Sequence, residues 1–180
     1  IEVDENGVPN GVFTEAAHAL AQETIPSPTL EDAERYFFMA AEHALAHGVT
    51  SVQSNDAGNT YYPRQPIIDL IRRIYAEGRC PLRYHYQISF ESPEALQRFV
   101  DEGGYKQDLG NDPDRIHFGP VKLFKDGSLG GRTGTMRHEY LDDPGNYGVE
   151  TTTNEEMDAF CRVADANNLQ IATHVIGDKA

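Results

Sequence analysis

The sequence predicts an α/β fold in which parallel β-strands alternate with helices. Four strand-like stretches and the amphipathic helices between them follow one another at the spacing of βα units. This alternation is typical of a doubly wound sheet or of a (β/α)8 barrel. With 180 residues, the chain can complete the first architecture but only part of the second, which runs to about 250 residues.

One strand-like stretch, LRYHYQIS over residues 82–89, favours the barrel. Its alternate residues divide into an apolar face and a polar face. The polar face consists of Arg83, His85, Gln87 and Ser89. A parallel strand that helices cover on both sides should be apolar on both faces. A polar face suits a barrel lumen that leads to a site, so we predict part of a (β/α)8 TIM-type barrel in one domain over residues 1–180.

In chain order, the sequence predicts a hairpin, then helices and strands in alternation. Asn6 and Gly7 supply the positive φ of a tight hairpin turn within residues 1–13. We expect helices over about 14–22, 29–47, 66–77 and 92–102, and a last helix that begins at Thr153 and includes Ala164. We expect strands over 49–54, 82–89, 117–124 and 169–175.

Local signals mark where the long helices begin and end. Thr29 is a good N-cap, Ser92 and Pro93 open the fourth helix, and Thr153 opens the last with a capping box. Pro66 fits the first turn of the third helix. Glycines end three of these helices, namely Gly48, Gly78 and Gly103.

The composition excludes several classes of partner. A net charge of −14, from 15 basic and 29 acidic residues, disfavours binding to nucleic acid or to an anionic membrane. No apolar run approaches the roughly 18 residues of a membrane span, and no signal-peptide pattern opens the chain. We therefore expect a cytoplasmic protein. Export stays open, because we interpret the chain, which starts at Ile1 and stops just after a predicted strand, as a piece of a longer protein.

The two cysteines indicate neither a disulfide framework nor a thiolate zinc site. Cys80 and Cys161 lie far apart, and the chain has no CxxC spacing. We interpret each as a plain reduced cysteine.

Lys122 and His174 are the most informative residues. Lys122 interrupts the apolar end of the predicted strand 117–124, and a lysine there is costly unless something neutralises or pairs it. His174 falls at the carboxyl end of the last predicted strand, and sites in parallel α/β sheets form at carboxyl ends. We therefore expect both residues to approach one opening. Spacing alone fits equally well a lysine paired with a carboxylate and a histidine bonded to backbone.

Other histidines give weaker signals. His43 and His47 have the i, i+4 spacing of metal ligands on a helix. Because His47 lies in the last turn, where a cation is favourable, we interpret the pair as a solvated helix end. His85 fits either a satisfied core residue or a pocket lining.

The glycine-rich run over residues 126–134 is not a nucleotide motif. It has neither the GxGxxG nor the GxxxxGK[ST] spacing. Arg132 and Thr133 could bind an anion through this loop, or the loop could simply cover a pocket. We predict Asp126, Arg132 and His85 as substrate-binding residues.

Two stretches resemble a known family. VKLFKDGSLGGRTG, over residues 121–134, and ATHVIGDKA, over residues 172–180, resemble signature stretches of the amidohydrolase superfamily in its amidohydrolase-3 branch. That branch includes N-substituted formamide deformylase, and its members read close to VKLFADGSLGSRTA and HAIGDRA. NGVFTEAA resembles the family's segment before the second barrel strand, and GVTSVQSND resembles that strand itself, so the resemblance runs along essentially the whole chain.

The resemblance implies a barrel with one or two divalent metals, expected to be zinc. Lys122 matches a strand-four lysine that CO2 can carbamylate to bridge the metals, and His174 matches a strand-five ligand. The implied reaction is hydrolysis of carbon–nitrogen bonds of the amide type in a small molecule, through a metal-activated water. The chain would cover about strands two to five. The first-strand HxH, the strand-six histidine and the strand-eight catalytic aspartate lie outside it, so it holds no catalytic residue.

Two expectations follow for the chain by itself. We expect it to be inactive as a hydrolase, and to form a homo-oligomer or to associate through its open strand edges. A different class of function competes with the enzyme: a complete, non-catalytic α/β module that binds a small molecule or an anion through its glycine-rich loop.

Overall fold

Four parallel β-strands alternate with helices along the chain. The computed structural model describes residues 1–13, 17–26, 28–57, 63–109 and 114–180. The elements in chain order are α1 (His18–Gln22), α2 (Leu30–Ala46), β1 (Ser51–Ala57), α3 (Arg64–Ala76), β2 (Arg83–Ile88), α4 (Pro93–Asp101), a 3-10 turn (Gly104–Lys106), β3 (Ile116–Phe124), α5 (Asn154–Ala166) and β4 (Ile171–His174).

The strands form one sheet in the sequential order β1-β2-β3-β4. β2 pairs in parallel with both β1 and β3. Between β3 and β4, the amide of Val121 donates to the carbonyl of Gln170 (2.8 Å), and the amide of Lys125 donates to the carbonyl of His174 (3.0 Å). Both strands advance by four residues between these bonds, so this pair is parallel too. The predicted sequential parallel order is confirmed, and it is the order of a barrel.

Internal contacts divide the chain into two compact units. The strand–helix unit comprises Ser27–Leu123 and Glu155–Ala172. The loop unit comprises Ile1–Pro26, Phe124–Asn154 and Thr173–Ala180.

The hydrophobic core lies in the strand–helix unit, where the helices cover one face of the strands. The predicted apolar stripe of α3 is confirmed, because Ile67, Leu70, Ile71 and Ile74 are all buried. From the sheet, the core receives the apolar face of β2 and residues of β3, namely Tyr84, Tyr86, Ile88, Ile116, Val121 and Leu123. α4 and α5 close it with Leu96, Phe99 and Phe160.

Two predicted helix caps are confirmed. The side-chain oxygen of Thr29 accepts from the amide of Asp32 (3.1 Å), and the Asp32 carboxylate accepts in return from the amide of Thr29 (3.1 Å). The hydroxyl of Ser92 accepts from the amide of Ala95 (3.2 Å) at the start of α4.

Some predicted boundaries were wrong. α3 begins at Arg64 rather than at Pro66, because a proline is tolerated within a first turn whose amides have no helical partner. β1 runs on to Ala57 instead of ending at Ser54. The predicted start of the first helix falls partly on residues 14–16, which lie outside the described residues, and α1 begins at His18.

The predicted hairpin is present in the loop unit. Val3 and Pro9 form an antiparallel bridge, and Gly7 has a φ of 76° in the turn between them. Among the helices of the described ranges, none combines the length and the apolarity that crossing a membrane requires.

Candidate functional site

The sheet face opposite the core of the strand–helix unit, which we call the inner face, carries polar side chains. Along β2, His85 and Gln87 are only partly buried and alternate with buried residues. Gln87 Nε2 donates to Gln53 Oε1 on β1 (3.2 Å), and the Ser89 hydroxyl donates to Asn55 Oδ1 (2.9 Å). The polar face predicted from the alternation of residues 82–89 is therefore confirmed.

An extra residue in β3 places Lys122 on this inner face. Tyr86 pairs in register with Phe118, and Ile88 pairs with Val121. Between these two pairs β3 therefore contains one residue more than β2. Without that residue, Lys122 would share the core-facing side with Phe118, because side chains alternate along a strand. With it, Val121 is fully buried in the core and Lys122 points to the inner face.

Lys122 is a partly buried amine. Its Nζ donates to the carbonyl of Leu123 (3.1 Å). Burial lowers the pKa of Lys122 below its ordinary value, because a charged ammonium is poorly solvated there. A larger fraction of the side chain is therefore a neutral amine, which is the form that reacts with CO2.

His85 and His117 lie side by side on the inner face. They are register partners in β2 and β3, and their ring centroids are 3.8 Å apart. Burial lowers the pKa of His85, and the neighbouring His117 lowers it further. His85 is therefore a neutral hydrogen-bonding group at pH 7. The structure places it on the predicted face, and substrate binding by His85 stays a prediction.

We expect His117→Gln to raise the pKa of His85 while leaving it below 6.5, its ordinary value, because burial is the larger of the two causes. NMR titration of the His85 ring signal measures this. The lowered pKa of His85 also makes the free energy of unfolding depend on pH. The unfolded chain binds this proton at a higher pH than the folded chain does, so stability falls as the pH drops below about 6.5.

The exposed His138 provides the control, since His138→Gln should leave the His85 titration unchanged. An unaltered His85 pKa in His117→Gln would show that the two rings do not interact electrostatically. A full return to 6.5 would show that burial contributes nothing.

The apolar cavity of about 420 Å³ in the strand–helix unit lies away from this polar face. Val52, Ser54 and Tyr84 line it from the strands, and α2 and α3 line it from the other side. These strand residues alternate with Gln53 and His85, so the cavity lies on the helix-covered side of the sheet. The hydroxyls of Ser54 and Tyr84 in its lining bond to each other and the rest of the lining is mostly apolar, so we do not take it as the site.

In the loop unit, the Asp126 carboxylate is buried and fully engaged. Its side chain is 1 % exposed. Oδ2 accepts from the amides of Thr135 (2.8 Å) and Gly177 (2.7 Å), and Oδ1 accepts from the amide of Ile176 (2.9 Å). Burial alone would raise the pKa of Asp126, but the amide donors outweigh it and hold the pKa below its ordinary value. In this structure the Asp126 carboxylate holds backbone through these three amides, and substrate binding by Asp126 stays a prediction.

The glycine-rich loop uses its own amides. Gly127 donates to the Thr133 carbonyl (3.1 Å), and both Thr133 (3.0 Å) and Gly134 (3.1 Å) donate to the Ser128 carbonyl. Arg132 is exposed and donates from Nη2 to Asp142 (2.8 Å). This arrangement does not favour an anion bound by loop amides, and substrate binding by Arg132 stays a prediction.

His174 ends β4 with one ring nitrogen bonded to backbone. Its Nε2 lies 2.8 Å from the carbonyl oxygen of Gly127. A carbonyl oxygen can only accept, so Nε2 carries the proton and Nδ1 keeps a lone pair. A backbone carbonyl on one ring nitrogen is the usual second partner of a histidine that ligates metal through the other. The sequence left open whether His174 bonds to backbone or ligates a metal. The structure shows the backbone bond through Nε2, and this bond leaves Nδ1 able to ligate.

The i, i+4 histidines of α2 behave as a solvated helix end. Both are exposed, and His47 Nδ1 lies 2.8 Å from the carbonyl oxygen of His43. Throughout the described ranges, no three His, Cys, Asp or Glu side chains are grouped as a metal site. Lys122, in the strand–helix unit, and His174, in the loop unit, each have surroundings that suit a metal ligand.

The whole sequence, residues 1–180, matches the model of the amidohydrolase family. The chain belongs to the amidohydrolase family. The resemblance seen in VKLFKDGSLGGRTG and ATHVIGDKA is therefore confirmed.

Two curated proteins show how much of a family member the chain represents. It is 27 % identical over 178 residues to YtcJ of Bacillus subtilis (strain 168), whose name classes it as an amidohydrolase, covering 98 % of this chain and 32 % of YtcJ. It is 30 % identical over 182 residues to Protein LONG AFTER FAR-RED 3 of Arabidopsis thaliana, covering 97 % of this chain and 30 % of that protein. The chain thus spans about a third of the length of these two curated relatives.

Two crystal structures of archaeal proteins share the fold. Both are titled uncharacterized metal-dependent hydrolases, from Pyrococcus horikoshii OT3 and Pyrococcus furiosus. Each superposes with a TM-score of 0.71 at 28 % identity, over 96 % and 97 % of this chain and 35 % and 36 % of theirs. Together with the sequential parallel sheet, these matches confirm the predicted fold class, part of a TIM-type barrel.

Proposed function

We propose that the intact protein is a metal-dependent hydrolase that cleaves carbon–nitrogen bonds of the amide type in a small molecule. Membership of the amidohydrolase family supports hydrolysis, and the likeness to two metal-dependent hydrolases of Pyrococcus supports a metal requirement. The observation that carries the proposal is the state of Lys122, a partly buried lysine that points to a polar inner face.

Lys122 can become an oxygen ligand. The lone pair of its neutral amine attacks the carbon of CO2, so that an N–C bond forms while one C–O π bond breaks and its electron pair moves to oxygen. One proton then leaves the nitrogen for the solvent. The resulting carbamate is anionic and offers two oxygens to a divalent cation, which an ammonium cannot do. A lowered lysine pKa favours this reaction, since the protonated amine has no lone pair to give.

His174 would supply a nitrogen ligand through Nδ1. Its Nε2 proton is already held by the Gly127 carbonyl, so only Nδ1 is available to a metal. One or two divalent ions, with zinc expected, would supply Lewis acidity and lower the pKa of a bound water. Neutral His85 and the Gln53–Gln87 pair line the inner face and would contact a polar substrate.

A matched pair of substrates tests the bond type. We expect the intact, metal-loaded protein to release amine from N-formyl and N-acyl amines, and to lose this activity when a chelator removes the metal. The corresponding O-acyl esters serve as the comparison. Preferred ester hydrolysis, or amide hydrolysis that survives complete metal removal, would contradict the proposal.

The competing reading, a non-catalytic module that binds an anion, has less support. The loop that would cradle the anion donates its amides internally, and the Arg132 side chain already pairs with Asp142. Inactivity of the chain by itself, its association through open strand edges and a cytoplasmic location stay predictions.

A further inference from the structure

We infer that the glycine-rich loop over residues 126–134 is a clamp that fixes the orientation and the tautomer of His174, with the Asp126 carboxylate as its anchor. This inference rests on the proposed function, because it gives the loop a purpose only if His174 ligates a metal. Asp126 would then be a positioning residue that acts through backbone and has no contact with substrate.

The clamp contacts His174 through one atom. The carbonyl oxygen of Gly127 lies 2.8 Å from His174 Nε2, so this single carbonyl decides which ring nitrogen carries the proton. The next residues close the loop behind it. The Ser128 amide donates to the Thr133 hydroxyl (2.9 Å), and the Thr133 amide returns to the Ser128 carbonyl (3.0 Å). These reciprocal bonds leave Gly127 little freedom to turn its carbonyl away.

The Asp126 carboxylate holds two stretches of backbone, the start of the glycine-rich loop and the segment that follows His174. Asp126 precedes Gly127 directly, so fixing its side chain fixes the start of the loop. The same carboxylate accepts from the amides of Ile176 (2.9 Å) and Gly177 (2.7 Å), which follow His174 by two and three residues. One buried group therefore joins the backbone that carries the imidazole to the backbone that orients it.

The ionised state of Asp126 is part of the design. Each carboxylate oxygen accepts from at least one backbone amide, so both positions need an acceptor. An asparagine must place its NH2 group against an N–H on one side or the other. Asp126→Asn is therefore a sharp perturbation, because it keeps the size of the side chain and removes one acceptor.

The tautomer of His174 provides a readout that does not depend on activity. We would label the intact, metal-free protein with 15N-histidine and record its ring nitrogens at alkaline pH, where imidazoles are neutral. His174→Gln assigns the signal. We expect only the Nε2–H tautomer in the wild type, and a mixture of both tautomers in Asp126→Asn. We also expect roughly 10- to 100-fold weaker metal binding in Asp126→Asn, which is the usual effect of replacing a residue that supports a metal ligand.

Two further variants separate the clamp from general stability. Thr135→Val removes a hydroxyl 3.4 Å from Asp126 Oδ2 and keeps the amide bond, so the tautomer should not change. Thr133→Val removes the acceptor of the Ser128 amide and should loosen the clamp while the anchor stays intact, which serves if Asp126→Asn does not fold.

The outcomes are distinct. A pure Nε2–H tautomer in both Asp126→Asn and Thr133→Val would overturn the clamp, even if both variants were less stable. A wild-type protein that binds no metal would instead overturn the proposed function, and the tautomer shift would still establish the clamp.

Discussion

We expect Lys122→Ala and His174→Ala each to weaken divalent-metal binding by the intact protein by about 100-fold or more. Under the proposed function, each change removes an atom bonded directly to the metal. A catalytic site keeps only about three protein ligands beside its open position, so the loss of one cannot be absorbed by the others. Substitution of residues that only hydrogen-bond to a metal ligand already lowers metal affinity by roughly 10- to 100-fold. Competition with a chromophoric chelator measures the affinity, and metal content after gel filtration gives the stoichiometry.

Surface residues of the same types provide the controls. Lys106 and His138 are both exposed, and Lys106→Ala and His138→Ala should bind metal as the wild type does. Preparing the protein with 13CO2 should label a carbamate that is missing in Lys122→Ala. Wild-type affinity in both ligand variants would refute the assignment of the site, and wild-type affinity in only one would remove that residue from it.

Much of the fold could be predicted because its determinants are local. The alternation of residues 82–89 fixed the two faces of β2, since side-chain direction follows from position in a strand. Thr29 and Ser92 act as N-caps through bonds within three residues. The extra residue in β3 was not predicted, because a register shift belongs to a pair of strands and neither sequence shows it alone. That shift is what turns Lys122 to the inner face.

Lys122 could be singled out from the sequence because burying a charged side chain costs free energy. A lysine within an apolar strand required an explanation, and its lowered pKa agrees with that argument. The backbone contacts of Asp126 were not predicted from the sequence. Two of its donors, the amides of Ile176 and Gly177, lie about 50 residues further along the chain, where no local pattern reveals them. The Gly127–His174 bond was hidden for the same reason.

Gly177→Ala should destabilise the chain by about 3 kcal/mol or more, which is large against the 5–15 kcal/mol that stabilise a typical domain. A Cβ at this buried glycine would overlap the carbonyl oxygen of Thr135, and that oxygen is backbone that cannot rotate away. Relief of the overlap would pull the Gly177 amide from Asp126 Oδ2, where it now donates at 2.7 Å. The substitution therefore adds strain and breaks a charge-assisted hydrogen bond in one step.

Urea unfolding of Gly177→Ala beside Gly130→Ala measures this effect against a matched control. Gly130 lies in the same loop unit, and a Cβ there would meet nothing within 4 Å, so its replacement should change the free energy of unfolding by no more than about 0.5 kcal/mol. Equal unfolding midpoints for the two variants would show that the segment after His174 can move away from Thr135 at little cost. The anchor at Asp126 would then hold nothing rigid, because a segment that yields to one methyl group cannot fix an imidazole.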